Sequence, residues 1–432
     1  MIENKTNTPT IVVIKGDGIG RTKNEVLGVT DSAIKILETA VEKAYNGQRK
    51  INWVEALAGD AARETLHPNI TDEEIKKLSP EEQRKIYLPQ ETLDLIEKYK
   101  IAIKGPLNTP IGEGFGSINV FLRKYFDLYA CIRPVEYFEG APSPNIHASS
   151  VDMIIFRENT EDVYRGIEFE AGSEKQRKLQ KFLIEELNAD LDPSRDYGIG
   201  IKPISAEGTK RLVRRAIQYS IDHELSTVTI VHKGNIQKYT EGAFMKWAYE
   251  IAKEEFGDKV IAEKDLVNWE IPKGKILLND RIADAMFQYI QQTPQNFKVL
   301  VCPNLNGDYF SDATAALIGG LGIAPGANIG DKYALFEATH GTAPTLAPDK
   351  ANPSSVALSA AMLLKYIGWD EASDLVQKGI KKAIFEGSKA VIKKEKQIPL
   401  TGDLVKDYPG HTVKDRIPCS EYVRRVIEYI RE

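Results

Sequence analysis

The feature that most restricts this chain is its alternation of short β-branched runs with longer amphipathic stretches. Thr10–Ile14 and the segments 151–156, 227–231 and 297–301 read as buried strands. Segment 24–45, with Val26, Val29, Ile34, Leu37 and Val41 near helical spacing, reads as a helix, as do 208–222, 242–255, 280–291 and 354–368. Strands alternating with helices imply an α/β fold, with a mainly parallel sheet and helices on its faces. Segment 170–196 breaks the pattern. It is strongly charged and reads as an insertion leaving the main body, either as a solvated excursion or as an element interlocking two chains.

The 432 residues suffice for roughly two to four structural units. A formal net charge of −5 argues against nucleic acid or an anionic membrane as the main partner. The longest apolar stretch, 355–369, is too short to span a bilayer and is interrupted by Lys365. The N-terminal MIENKTNTPT lacks the apolar region of a secretory signal. Three scattered cysteines, Cys131, Cys302 and Cys419, make neither a disulfide framework nor a zinc site, so a reducing cytoplasm is expected.

Polar residues gather where apolar strands stop: Arg157-Glu158-Asn159, His232-Lys233-Gly234-Asn235 and Asn304 to Asp308. In open α/β sheets ligands bind beyond the carboxyl ends of strands, which suggests one pocket lined by cations and carboxylates. The glycines Gly16, Gly18 and Gly20 do not form a dinucleotide fingerprint. Arg21 stands where the third glycine of G-x-G-x-x-G would fall, and a tight strand-to-helix turn is the plainer reading. Ser117 and Asn119 follow a Gly-rich loop, and Arg123, Arg133 and Arg157 flank apolar segments. Guanidinium forks match carboxylates, so the set suits a di- or tricarboxylate, although any one arginine alone is better read as a surface ion-pair partner. Asp308 and Asp312 are spaced to share a helix face, and Asp284 adds a third acid. Such oxygen donors favour Mg²⁺ or Mn²⁺, although helix capping and solvent exposure explain the spacing too. His340 lies in a small-residue loop that could let backbone groups approach a ring and phosphates, or could be an ordinary turn. Six histidines without ligand spacing count against a zinc enzyme.

Together, GDGIG, LNTPIGEGFGSINVFLRKYFDLYACIRPV, FRENTEDVYRGIE, GIGIKPIS, VHKGNIQKYTEGAF, NLNGDYFSDA and APGANIGDKYALFEATHGTAP resemble the β-decarboxylating dehydrogenases, nearest to the homodimeric isocitrate dehydrogenases of bacteria and archaea. The resemblance implies an isopropylmalate-dehydrogenase-like three-layer fold that is not a Rossmann fold. It implies a large domain (1–128 and 319–432), a small domain (129–161 and 206–318) and a dimer clasp (162–205). It implies metal-dependent oxidative decarboxylation of isocitrate to 2-oxoglutarate and CO₂ with reduction of NAD(P)⁺. Ser117, Asn119, Arg123, Arg133 and Arg157 match isocitrate-binding positions, and Tyr164 and Lys233 match the catalytic acid–base pair. Asp284, Asp308 and Asp312 match metal ligands. Asn108, Thr109, Asn235, His340, Gly341, Thr342, Ala343 and Asn352 match cofactor-binding positions. Lys233 and Asp284 are expected to complete the site of the other chain of a homodimer.

The sequence departs from the NADP-specific pattern. Thr345, Leu346, Gly402 and Lys406 stand where those relatives carry Lys, Tyr, Tyr and Arg, so NAD⁺ is expected over NADP⁺. Asp349 is the remaining acid that could bond a ribose. Asn108 replaces a threonine near the nicotinamide, and Ser117 matches a position phosphorylated in some relatives, where a phosphate would repel the substrate. Competing expectations are a related dehydrogenase of homoisocitrate or isopropylmalate, and a non-catalytic regulatory subunit. The latter typically lacks part of the Tyr/Lys/Asp set present here.

Overall fold

A computed structural model describes residues 6–23, 25–108 and 116–432. Its strands are β1 (Thr10–Ile14), β2 (Asn52–Glu55), β3 (Ile101–Lys104), β4 (Ala130–Glu136), β5 (Asp152–Glu158), β6 (Glu168–Phe169), β7 (Ile199–Gly200), β8 (Thr227–His232), β9 (Val260–Ala262), β10 (Ile276–Ile282), β11 (Val299–Cys302), β12 (Pro325–Ile329) and β13 (Ala334–Ala338). All but β6 and β7 join one sheet in the order β2-β1-β3-β13-β12-β4-β5-β11-β8-β10-β9. The wings are parallel, as the alternating sequence pattern predicts. The seam is not: β13–β12, β12–β4 and β4–β5 pair antiparallel, so the wings run in opposite directions. Helices Val29–Tyr45, Ser354–Tyr366, Asp370–Ile392 and Cys419–Arg431 pack together on one wing, and Ala206–Asp222 and Glu241–Phe256 on the other. β6 and β7 form a separate antiparallel ribbon framing the helix Glu174–Glu185, within the segment read as an insertion.

Two helix starts differ most from the sequence reading. The first helix begins at Val29, because Glu25 adopts a positive φ and Lys23 bridges Val26 in a tight turn. Asp280, expected to open a helix, ends in β10 instead. Its carboxylate is satisfied there by the Tyr249 hydroxyl at 2.8 Å and the His232 ring at 3.1 Å, so a polar residue is tolerated in the sheet.

Alternation along each strand sorts residues between faces. The registers Lys104↔Glu337, Leu335↔Asn328, Asn328↔Cys131 and Cys131↔Arg157 place Lys104, Glu337, Asn328, Arg133 and Arg157 on one face of five adjacent strands. Phe336, Ala327 and Ile132 alternate to the opposite face, in the core. The polar face is held by one buried ion cluster. Glu337 accepts from Lys104 at 2.6 Å, from Arg123 at 2.8 Å and from the Asn328 amide at 2.7 Å. Asn328 in turn accepts from Asn159 at 2.9 Å. Burial alone would raise the Glu337 carboxyl, but Lys104 and Arg123 outweigh it and hold it far below its ordinary 4.5.

Removing the acid would leave two cations buried without a partner. Glu337→Ala is therefore expected to cost about 3–5 kcal/mol, measured by denaturant unfolding. Because the folded carboxyl is depressed, its contribution is fully present above pH 4.5 and is lost as pH falls below it. The wild type should lose stability in that acid range more steeply than Glu337→Gln. Equal slopes would show that the carboxylate is not what holds the seam.

Candidate active site

The antiparallel seam brings four elements to one place. The helix Ile118–Tyr125 presents Arg123, β4 presents Arg133, β5 presents Arg157, and the helix Asn304–Leu317 presents Asp308 and Asp312 one turn apart. Ser117 is the N-cap of the first helix and Asn119 lies in its first turn. The three guanidiniums are buried, Arg157 almost completely. Protein groups hold each in place. Arg157 Nε donates to the Asn304 carbonyl at 2.9 Å and to its side chain at 3.0 Å, and its Nη1 pairs with Asp308. Arg133 Nη1 donates to Ser311 Oγ at 2.7 Å and lies 3.5 Å from Asp312.

None of the three is fully satisfied. Arg123 Nε, Arg133 Nε and Arg157 Nη2 are buried donors without a hydrogen-bond partner, and the Asn119 side-chain Oδ1 is a buried acceptor without one. Buried donors are rarely left so, and a cluster of them calls for an anionic acceptor. The crowding of positive charge also shows in Arg157, which burial first and Arg123 second push below its ordinary value.

Tyr164, in the turn Asp162–Arg165, donates its hydroxyl to Asp308 Oδ2 at 2.8 Å, with the Arg157 guanidinium 4.8 Å from its ring centre. Burial raises the phenol above its ordinary value, so it carries its proton at neutral pH. Burial also works to raise Asp308, but Arg157, the Tyr164 hydroxyl, Arg133 and Arg123 together hold it below its ordinary range. Asp312 is raised by burial, against the pull of Arg133. Two carboxylates on one helical face, one of them firmly ionised, are a donor set that fits a hard divalent cation.

Lys233 and Asp284 do not join this group. They pair with each other at 2.8 Å, and among the described residues no three acidic, histidine or cysteine side chains form a metal cluster. Asn235 is exposed beside Lys233, with Ile236 and Tyr239 also largely exposed. Thr109 lies outside the described residues. The other expected cofactor positions form a second group. His340 sits three residues beyond Glu337, with its Nε2 buried and unpartnered. Burial pushes the imidazole below its ordinary value. The Thr342 carbonyl accepts from Ile19 at 3.1 Å, and the Asn108 backbone N–H reaches Asp17 at 2.9 Å. Gly341 and Ala343 complete that loop, and the Asn352 amide donates to Asp403 at 2.9 Å.

Sequence reasoning missed Lys104, Glu337 and Ser311. A signal existed for two of them. A lone charge in each of the strand runs IAIK and ALFEA has no solvent to face and so must pair.

Comparison with known proteins follows this geometry. The solved structure of isocitrate dehydrogenase from Methylococcus capsulatus superposes with a TM-score of 0.72 at 32% identity, covering 98% of this chain and 100% of that one. The chain is 50% identical over 380 residues to a Pseudomonas aeruginosa isocitrate dehydrogenase [NADP], covering 87% of this chain and 86% of that protein. It is 47% identical over 426 residues to the Helicobacter pylori enzyme of the same name, covering 98% and 93%. Both relatives are NADP enzymes, which overturns the expectation of NAD⁺ drawn from Thr345, Leu346, Gly402 and Lys406. Asp349, the acid expected to be available to a ribose, has its carboxylate accepting from the Ser420 N–H and hydroxyl, each at 2.7 Å, at the start of the last helix. Two exposed lysines, Lys350 and Lys406, stand two and three residues in sequence from the ends of the Asn352–Asp403 bond. The profile of the isocitrate/isopropylmalate dehydrogenase family matches residues 80–406, and with these relatives over most of its length the chain belongs to that family.

Proposed function

We propose that this protein oxidises and decarboxylates isocitrate to 2-oxoglutarate and CO₂ while reducing NADP⁺, with Mg²⁺ or Mn²⁺, in sites shared between two copies of the chain. The observation that carries the reading is the cluster of buried arginines with unpaired N–H groups facing two acids and a proton-bearing tyrosine. A tricarboxylate matches the guanidiniums by charge and by fork geometry.

Arg123, Arg133 and Arg157 would bind the substrate carboxylates, with Ser117 and Asn119 at the helix start, and hold the reacting carbon in place. Asp308 and Asp312 would hold the cation together with Asp284 of a second copy. When bound, the cation would acidify the substrate hydroxyl and take up negative charge as CO₂ leaves, and the oxidised nicotinamide would accept the hydride. Lys233 removes the proton of the C2 hydroxyl as hydride departs from C2. After the C3 carboxylate leaves as CO₂, Tyr164 delivers a proton to C3. His340 to Ala343, with Asn108, Thr109, Asn352 and the second copy's Asn235, would hold the cofactor.

The shared site rests on the separation of the Lys233–Asp284 pair from Asp308, and on the exposed Ile236 and Tyr239 beside it. The β6–β7 ribbon, with Ile167, Phe182, Leu187 and Ile201 exposed, would be the clasp, and the seam at β12 and β4 the boundary between the large and small domains. Among the described residues no helix is long and apolar enough to cross a membrane, and all three cysteines are free and buried, as suits a reducing cytoplasm.

Purified protein should turn over isocitrate with NADP⁺ only when Mg²⁺ or Mn²⁺ is present, and chelation should abolish the rate reversibly. Preference for isopropylmalate or homoisocitrate in the same assay would overturn the substrate assignment. Tyr164→Phe and Lys233→Met should each lower kcat by roughly 10²–10⁴-fold. Co-expressed, they should recover about a quarter of wild-type activity, because mixed dimers keep one intact site. A mixture no better than either variant would place both residues in one chain's site. A Cβ on Gly307 would lie 2.5 Å from Arg157 Cγ. Gly307→Ala should therefore raise the KM for isocitrate by roughly 10–100-fold and leave that for cofactor nearly unchanged, by steady-state kinetics.

A further inference from the structure

We propose that Asp17 is a positioning residue for the cofactor, its buried carboxylate clamping the Asn108 backbone while the loop it sits in braces Thr342. The inference rests on the reading above that the segments around Asn108 and His340 hold the cofactor.

Asp17 is 1% exposed. Its Oδ2 accepts from the Asn108 N–H at 2.9 Å and its Oδ1 from the Ala61 N–H at 3.3 Å. Its own N–H donates to the Pro106 carbonyl at 2.6 Å, and two residues on, the Ile19 N–H reaches the Thr342 carbonyl at 3.1 Å. One turn thus ties together three segments far apart in sequence: 59–61, 106–108 and the loop at Thr342. Glycines make the approach possible. A Cβ on Gly59, at φ +70°, would fall 2.1 Å from Asp17 Oδ2, and one on Gly18, at φ +55°, would fall 2.2 Å from the Thr342 oxygen.

The carboxylate is an expensive choice for a structural tie. Among the described residues it has no ion-pair partner: nearby Arg21 is paired to Glu64 at 2.7 Å, and the other close charge is the like-signed Asp60. Tyr87 is the remaining titratable group within reach. An isolated buried charge costs the fold, so a purely structural role would be better served by a neutral group. What the charge supplies is two acceptor oxygens aimed at two backbone donors. Burial, aided by Asp60 and opposed by the Asn108 and Ala61 N–H groups, lifts the carboxyl from 3.8 to about 6. Protonation would convert one acceptor to a donor and loosen the clamp as pH falls through about 6. Stability moves the other way: with the folded value raised, the ionised group costs stability as pH rises from 3.8 to about 6. A clamp and a merely structural acid therefore differ in the sign of their acid response.

The test is the KM for NADP⁺, the KM for isocitrate, kcat and Tm from pH ~5 to ~8, with NADPH binding followed by fluorescence. For the wild type, cofactor affinity should weaken below about pH 6 while Tm does not fall with it. Asp17→Asn should raise the KM for NADP⁺ by roughly 10–100-fold at pH ~8, flatten the acid limb, and leave the KM for isocitrate and Tm near wild type. Asp60→Asn, by removing the like charge, should move the wild-type limb to lower pH. A wild-type KM for NADP⁺ in Asp17→Asn, an equal loss in isocitrate affinity, or a limb unmoved by Asp60→Asn would overturn the role. Wild-type protein that binds no NADPH would instead remove the cofactor reading beneath it.

Discussion

Everything at the candidate site depends on Glu337 being ionised in the interior. It neutralises Lys104 and orients Arg123 at a point where three antiparallel strand pairings meet. Without it, the sheet face carrying Arg133 and Arg157 would hold a concentration of positive charge with too few internal partners. With it, that face is stable but not saturated. Asn304, Ser311 and Asp308 take some of each arginine's donors and leave others unmade. A side chain fixed through half of its hydrogen bonds and open through the rest is preorganised for a ligand.

The opposed wings explain why the site lies at the seam. In a purely parallel sheet all strand ends fall on one edge. Here the direction reverses at β12 and β4, so Arg133 from the middle of β4 meets Arg157 near the end of β5, alongside the helix that follows β11 and carries Asp308. The cofactor candidates beyond Glu337 then follow within one strand-to-loop step.

Much of this was legible in the residues. Strand spacing specified an α/β sheet, the non-Rossmann glycine turn was read correctly as a turn, and the arginines and Asp308/Asp312 do meet. The antiparallel seam was not legible, because β12 and β13 are buried on both faces and burial does not record pairing direction. Helix starts were shifted where a positive-φ turn replaced a helical one, as at Glu25. Cofactor choice was misread from four side chains. Specificity for a phosphate depends on which cations reach it in space, and matching positions one by one does not show that. The Glu337–Lys104 pair joins residues 233 positions apart, and only tertiary structure shows them to be one interaction.

The Lys233–Asp284 pair carries a further consequence for a shared site. In a single chain the Lys233 ammonium is engaged by the Asp284 carboxylate at 2.8 Å. On the shared-site reading, Asp284 is drawn to a cation held by Asp308 and Asp312 of the other copy, which weakens its hold on Lys233. The pair is largely exposed, so separating it costs little. Association would then do more than complete a ligand set. It would also free Lys233 from the carboxylate that engages it in the lone chain.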